Sequence, residues 1–334
     1  MTDTRIYATV LHSDHSLQYS LTVAVNILAT PLNFLSFYLI LFKSKRERTS
    51  FKVCLFLAQL SFYIAQFHLG VLTGLVTLHP FPAVYSVGLL KNYFTSFTLC
   101  FIWCIFFCFY VYISFVQLFI RMKIVARPGK IFNRSNFTYN SINFLLALYI
   151  FVPFPGCIII ANSSLENMKQ FVLKNYPNNM EIFDNPGVFV LTDTAHTDWI
   201  RAIMIFMIVS ATVLVTSLYF LTNREIQLSL TDKSVTNMEE ILQSLNNYAI
   251  QSLAHVIFLG TSCSLIMKSF FNDPSVDSRI SNTIAYTSLC GASIPYQILM
   301  IYRNPSYREF VSKYFKFAVK KPPRLYQQRV SVFS

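Results

Sequence analysis

One stretch of the chain decides its fold: residues 93–120, which read YFTSFTLCFIWCIFFCFYVYISFVQLFI. None of these side chains is charged. The stretch is longer than the about 20 residues that an α-helix needs to cross the roughly 30 Å hydrocarbon core of a bilayer. Lipid offers the backbone no hydrogen-bond partner, so an uncharged run of this length predicts a membrane-spanning helix. Strands of a membrane barrel would alternate in segments of about ten residues, and that pattern is not seen.

Six further apolar runs flank this one, and the composition agrees with them. Of the 334 residues, 54% are hydrophobic and only 13% are charged, whereas a soluble domain carries about 25% charged residues. We therefore predict an all-α membrane protein with a bundle of seven transmembrane helices in residues 17–302. The predicted spans, numbered 1 to 7, are 17–42, 53–78, 93–120, 141–161, 199–222, 248–270 and 280–302.

The distribution of cations predicts the orientation of the bundle. Lys and Arg favour the cytoplasmic side of a membrane. Of the 27 such residues, 20 fall in the first, third and fifth connecting segments and the C-terminal tail. We call this end of the bundle the inner end and expect residues 1–16 to lie outside the cell. The basic net charge suits contact with the anionic lipid of the inner leaflet. The sequence has no separate basic domain that would indicate nucleic acid as a partner.

Residues 303–321 follow the last span with an amphipathic pattern. Aromatic side chains that include Phe310 and Tyr314 share one helical face, and lysines occupy the other. This arrangement is typical of a helix lying on the inner membrane surface. We expect residues 322–334 to form a cytoplasmic tail. On the outer side, residues 188–191 are short and apolar enough for a strand or a plug over the bundle.

The sequence offers no pattern typical of a catalytic or metal site. All seven cysteines fall inside predicted spans without the spacing of metal ligands, and three of them recur every fourth residue on one face of span 3. We interpret that face as a close helix contact. A retinal pump would need a lysine within span 7, and an intramembrane hydrolase would need paired Asp or His residues in spans; neither is present. We therefore expect no enzyme activity, no cofactor and no metal.

Several segments along the chain resemble nematode serpentine chemoreceptors of class H. They are residues 30–45 and 50–54 around span 1, 79–82 with 88–90, 183–193 in the second outer loop, and Asn304-Pro-Ser-Tyr-Arg308 after span 7. Class I of the same receptors is closely similar. The resemblance implies a G-protein-coupled receptor of sensory neurons, in the plasma membrane, that binds a small external chemical and activates a heterotrimeric G protein.

Three features depart from what such receptors usually contain. The second outer loop has no cysteine to join it to the top of span 3 by a disulfide. Ile120 stands where a polar or acidic residue usually precedes the inner Arg, so any resting clamp on Arg121 is absent or comes from another helix. Span 7 carries Pro295-Tyr296 without the usual preceding Asn.

The candidate site residues lie at the two ends of the bundle. Outside, Phe97, Phe101 and Tyr286 are predicted to form an aromatic wall for a small, largely apolar ligand. Inside, Arg121 is the predicted principal contact with the G protein, because its planar fork can donate to backbone carbonyls. The cations expected to assist it are Lys123, Arg127 and Arg303. Between the ends, buried amides at Asn26, Asn33, Gln59, Gln117 and Gln297 are predicted to hydrogen-bond between helices.

A ligand-gated ion channel or a transporter is the alternative function. Odorant-gated channels of seven helices place the N-terminus inside, which disagrees with the distribution of cations. A transporter usually contains paired repeats, and the sequence shows none.

Overall fold

The computed structural model describes residues 15–44, 49–78, 83–125, 136–184, 187–192, 194–229, 257–266 and 279–315, together with 246–247, 249–250, 253 and 268. Within this part of the chain, six helical segments are long and apolar enough to cross a bilayer. They correspond to predicted spans 1 to 5 and 7. Span 6 is represented by one shorter apolar helix, Ile257–Ile266, and the rest of its predicted range lies largely outside the described residues.

The helices of spans 1 to 4 are α1 Ser16–Tyr38, α2 Thr49–Phe67, α3 Ser96–Val125, and the pair α4 Asn136–Phe151 and α5 Pro153–Ala161. An outer-loop helix, α6 Leu165–Asn175, precedes α7 Thr194–Ser229, which contains span 5. Ile257–Ile266 is α8. Span 7 is the pair α9 Arg279–Gly291 and α10 Ser293–Arg303, and the surface helix is α11 Pro305–Phe315.

Span 2 ends earlier than the sequence predicts. After Phe67 the helix continues as a π turn, His68–Thr73. It stops at Gly74, which has a φ of 54° and donates its N–H to the Leu69 carbonyl over 2.9 Å. A left-handed residue at this position is a common helix terminator that glycine adopts without strain. Residues 75–77 then form a strand, so the predicted range 53–78 is too long at its outer end.

Span 3 lies at the centre of the described bundle. α3 contacts α2, the α4–α5 pair and α7. Cys104 and Cys108 are fully buried on its face towards span 4, and the Cys108 Sγ donates to the Ile150 carbonyl at 3.7 Å. The small cysteine face therefore forms the close helix contact that its spacing predicts.

A three-stranded antiparallel sheet covers part of the outer end. β1 Leu75–Thr77 and β2 Ala83–Ser86 form a hairpin from the first outer loop, and β3 Phe189–Val190 from the second outer loop pairs with β2. Residues 188–191, predicted as a strand or a plug, thus contain a strand, whereas the hairpin of the first outer loop is not among the predicted elements. The apolar run up to residue 78 resembles a continued span, because a membrane-spanning helix and a buried strand both favour apolar side chains.

The second outer loop has a core of its own beneath this sheet. α6 begins at the N-cap Ser164, whose hydroxyl accepts from the Asn167 N–H at 3.2 Å. Its apolar face buries Val172 and Met168 against Ile182 and Val190. We call this cluster, together with the three strands, the outer lid.

Gly88, two residues after β2, packs closely against the end of span 2. Its N–H donates to the Thr73 carbonyl at 2.8 Å, and a Cβ on it would lie only 2.5 Å from the Leu72 carbonyl oxygen. We expect Gly88→Ala to destabilise the protein by about 1–3 kcal/mol, because backbone atoms would have to shift. Gly156→Ala is the matched control, since nothing lies within 4 Å of a Cβ there. Thermal unfolding of the two purified variants measures the difference; equal midpoints would contradict this packing.

Candidate functional site

At the inner end of span 3, an aromatic ring holds Arg121. This residue is only 8% exposed, and its guanidinium Cζ lies 4.4 Å from the centroid of the Phe51 ring. Phe51 is itself buried near the start of α2. A guanidinium over a ring face is attracted by the ring quadrupole, by about 2 kcal/mol when both groups are desolvated. Phe51, which lies on another helix, therefore helps to hold Arg121 in place. The apolar Ile120 beside Arg121 cannot do so.

The inner end of span 6 is tied to both neighbouring spans. Arg303 donates through Nε to the Asn247 Oδ1 at 3.0 Å, and the Asn247 Nδ2 donates to the Arg303 carbonyl at 3.4 Å. On the other side, the Tyr219 hydroxyl donates to the Asn246 Oδ1 at 3.0 Å. Bonds of this kind contribute about 0.5–3 kcal/mol each. These bonds connect the inner end of span 6 to spans 5 and 7.

The other predicted inner cations have different surroundings. The Lys123 Nζ lies 4.5 Å from the centroid of the Tyr139 ring, at the start of span 4. Arg127 lies outside the described residues. Arg303, as described, is engaged with Asn247 and so connects spans 6 and 7. In the described part of the chain, the structure therefore brings Arg121, Lys123 and Arg303 to the same end of the bundle.

Four of the five predicted amides make hydrogen bonds between helices, and the Asn26 Nδ2 donates to the Thr22 carbonyl of its own helix at 2.9 Å. The Gln297 Nε2 of span 7 donates to the Asn33 Oδ1 of span 1. The Gln117 Nε2 of span 3 donates to the Cys54 carbonyl of span 2 at 3.1 Å. The Gln59 Nε2 lies 3.0 Å from the Met300 Sδ of span 7. Span 7 is interrupted at Ala292, three residues before Pro295, and Asn33 contacts Ser293 just past the break.

The surface helix is anchored to span 1. Tyr307 is fully buried and its hydroxyl pairs with that of Ser44. The Phe310 ring lies 5.5 Å from the Tyr38 ring, and the Lys43 Nζ lies 4.7 Å from the Phe310 centroid. Tyr314 packs on Phe310 at 4.5 Å but remains 64% exposed, as suits a ring that faces lipid. Tyr307 is thus the main anchor, beside the predicted Phe310 and Tyr314.

The outer candidate residues fall into two adjacent clusters. The rings of Phe97 and Phe101 stack with centroids 6.5 Å apart, and Phe97 also contacts Phe189 of β3 at 5.4 Å. Tyr286 is buried in a neighbouring cluster of spans 2 and 7, and Val84 of β2 packs against both clusters. The cavity beside Tyr286 measures about 10 Å³, which is room for about one water molecule.

Hydrogen bonds join the second outer loop to span 3 without a disulfide. All seven cysteines are free thiols. The Ser96 N–H at the start of α3 donates to the Gly187 carbonyl at 3.2 Å, and the Ser96 hydroxyl accepts from the Ser86 N–H at 2.9 Å. With the Phe97–Phe189 contact, these bonds fix the lid to the top of span 3.

The comparisons with known proteins agree with this arrangement. Residues 12–317 match the family described as "Serpentine type 7TM GPCR chemoreceptor Srh". The chain belongs to this family. It is a chemosensory G-protein-coupled receptor of class H and a multi-pass membrane protein, as its sequence predicts. A channel or transporter is not favoured.

A solved structure supports the fold. The crystal structure of squid rhodopsin superposes with a TM-score of 0.55, covering 91% of this chain and 86% of that chain at 11% sequence identity. The likeness concerns the fold alone, and it confirms the seven-helix bundle of the sequence prediction. No curated protein matches the chain.

Sequence reasoning did not find four of the residues that shape the ends of the bundle. They are Phe51, Asn247, the lid residue Phe189 that packs on Phe97, and Tyr307, which the helical pattern places on the apolar face of residues 303–321 without marking it as the main anchor. Phe51 and Tyr307 each lie beside basic residues in the sequence, which could have drawn attention to them. Nothing in the sequence shows which of its 33 phenylalanines lies over Arg121.

The surface helix provides a test of the inner end. We expect Phe310→Asp with Tyr314→Asp to reduce surface expression or signalling strongly, because both carboxylates would face lipid or the Tyr38 ring. Ser306→Asp is the control, since it adds the same charge at an exposed position of α11. Staining of an outer epitope on intact cells, with a signalling assay, measures both effects. A double variant that matches Ser306→Asp would show that α11 is dispensable.

Proposed function

We propose that the receptor binds a small, largely apolar chemical at Phe97, Phe101 and Tyr286 and couples to its G protein through Arg121. The N-terminus then lies outside, in accord with the excess of cations at the other end. We further place the receptor in the plasma membrane of sensory neurons, as the chemoreceptor family suggests. The observation that carries the proposal is the Arg121–Phe51 contact, because it holds the predicted coupling residue in a defined resting position.

The outer lid gives the ligand a route to the aromatic wall. β3 pairs with β2 through only two residue pairs, so its displacement breaks few hydrogen bonds. Segments with so few bonds open at a low free-energy cost. Movement of Phe189 away from Phe97 would expose a ring face and enlarge the small space beside Tyr286. Ligand binding and lid movement are therefore coupled in this proposal.

At the inner end, activation replaces contacts within the chain by contacts with the partner. Separation of Asn246 from Tyr219 and of Asn247 from Arg303 frees the inner end of span 6 and opens a cleft beside span 3. Arg121 leaves the Phe51 ring and donates to backbone carbonyls of the incoming G-protein helix. Lys123 and Arg127 add long-range attraction that salt weakens, and Arg303 becomes available once Asn247 moves away.

Replacing Phe51 tests the resting contact of Arg121, and replacing Arg121 itself tests its contact with the G protein. We expect Phe51→Leu to raise basal nucleotide exchange on co-expressed G proteins about 2- to 30-fold, because the resting state loses about 0.5–2 kcal/mol of cation–π attraction. Phe56→Leu is the control, as its ring contacts Phe37 instead. Arg121→Ala should abolish exchange at matched surface expression. If Phe51→Leu behaves like Phe56→Leu, or Arg121→Ala signals normally, the coupling proposal fails.

The outer site is tested with an activating compound found by calcium imaging against a panel of small volatile and water-soluble chemicals. We expect Phe101→Ala to raise the half-maximal concentration of that compound about tenfold or more, which corresponds to about 1.4 kcal/mol of lost contact. Phe109→Ala serves as control, because this ring lies two turns along the same helix and is exposed to lipid. Equal responses of the two variants would move the ligand site elsewhere.

A further inference from the structure

A serine at the inner end of span 2 stands in a sequence that suits a protein kinase. Ser50 is the second residue of α2, and its side chain is exposed. Arg48 lies two residues before it, the apolar Phe51 follows it, and Lys52 comes next. Kinases select their acceptors partly by the charges around the hydroxyl, and cations on both sides favour a basic-directed serine/threonine kinase. The first turn of a helix opens at a low free-energy cost, which gives such a kinase access.

The packing of spans 2 and 3 places Ser50 level with Arg121. The two helices run antiparallel, because α2 leads outward and α3 leads inward. The Gln117 Nε2 of α3 donates to the Cys54 carbonyl of α2 at 3.1 Å. One helical turn towards the inner end leads from Gln117 to Arg121 on α3 and from Cys54 to Ser50 on α2. The contact of the Arg121 guanidinium with the Phe51 ring, at 4.4 Å, agrees with this register.

The neighbouring hydroxyl of Thr49 lies on a different face of the same helix. Thr49 is also exposed, at the first position of α2. Val53, one turn after Thr49, is 47% exposed, whereas Cys54, one turn after Ser50, accepts the hydrogen bond from span 3. Of these two hydroxyls, Ser50 is therefore the one on the side of span 3.

We propose that Ser50 is a phosphorylation site and that its phosphate holds Arg121 in the resting position. In the reaction, the Ser50 Oγ attacks the γ-phosphorus of ATP, a new P–O bond forms, and the bond to the β–γ bridging oxygen breaks. ADP leaves, and the hydroxyl proton passes to a base of the kinase. This inference rests on the proposed function in two respects: the inner end faces the cytosol, and Arg121 makes the coupling contact.

A phosphate on Ser50 supplies a charge that the residue before Arg121 does not. Ile120 is uncharged, whereas phosphoserine carries a charge of about −1.5 to −2 and three acceptor oxygens. A guanidinium can donate to phosphate through two parallel N–H groups, which is a strong arrangement. An anion in the first turn of a helix also suits the helix dipole, so the modification leaves α2 and Phe51 in place. The phosphate therefore adds to the ring contact and lowers the fraction of receptors that couple.

The modification is tested on the full receptor, purified in a maltoside detergent and treated with ATP and the catalytic domain of protein kinase C. Mass spectrometry of the peptide around residue 50 locates the phosphate. We expect it on Ser50, both in this reaction and in receptor isolated from cells in the presence of a phosphatase inhibitor. Ser50→Ala should remove it from the peptide without changing surface expression, because the side chain is exposed.

The pairing with Arg121 is tested without a G protein. The detergent contains no phosphorus, so ³¹P NMR observes the phosphate on Ser50 directly. We expect the second pKa of this phosphate to be lower in the wild type than in Arg121→Ala, because a nearby guanidinium favours the dianion.

The effect on coupling is tested by basal nucleotide exchange on added G proteins. We expect exchange by the phosphorylated receptor to be about 3- to 30-fold slower than after phosphatase treatment. Ser50→Glu should reproduce part of this loss. Thr49→Glu is the matched control, because it adds the same charge to the same helix end on the face that continues to Val53, and it should keep wild-type exchange.

Three outcomes would overturn the inference. They are a peptide without phosphate on Ser50, an equal phosphate pKa in the wild type and Arg121→Ala, and equal exchange before and after phosphatase treatment. Normal coupling of Arg121→Ala would instead contradict the proposed function. The mapping and the NMR titration need no G protein, so they decide the Ser50 site in either case.

Discussion

Every polar group at membrane depth needs a partner inside the protein, and this constraint shapes the whole receptor. It requires helices, and it directs polar side chains to carbonyls of their own helix, as Asn33 and Ser114 do. Where a side chain cannot reach its own helix, it connects two spans, as Gln117 does with Cys54. Some buried side-chain oxygens, those of Gln59, Gln117 and Gln297 among them, have no partner within the described part of the chain and are exceptions to this rule.

The outer end shows how the lid is held without a covalent bond. Ser96 bonds to both outer loops, through the Gly187 carbonyl and the Ser86 N–H. These bonds act together with the packing of Phe97 on Phe189. A disulfide would fix the loop permanently, whereas hydrogen bonds and a ring contact can break and re-form. The two-residue strand β3 is therefore suited to a lid that moves when a chemical binds.

At the inner end, the Phe51 ring lies over Arg121, which Ile120 precedes in place of the usual polar or acidic residue. A buried guanidinium beside a carboxylate would be held by a charge pair with a large desolvation cost. A ring holds it more weakly and requires no second charge to be buried. The ties of span 6 through Asn246 and Asn247 are similarly modest. A resting state built from such contacts can be released by the small free energy that a weakly binding chemical supplies.

The sequence by itself determined the family and the seven-helix bundle, and it predicts the orientation of the two ends and a short strand or plug near residue 189. These properties depend on local hydropathy and on short motifs, which neighbours along the chain reveal. Only the tertiary structure decided that Phe51 meets Arg121, that Tyr307 meets Ser44, and that residues 75–77 leave the span for a sheet. Each of these depends on residues far apart in sequence, and many rings and amides in an aromatic, apolar chain satisfy the same local pattern. Packing alone selects among them.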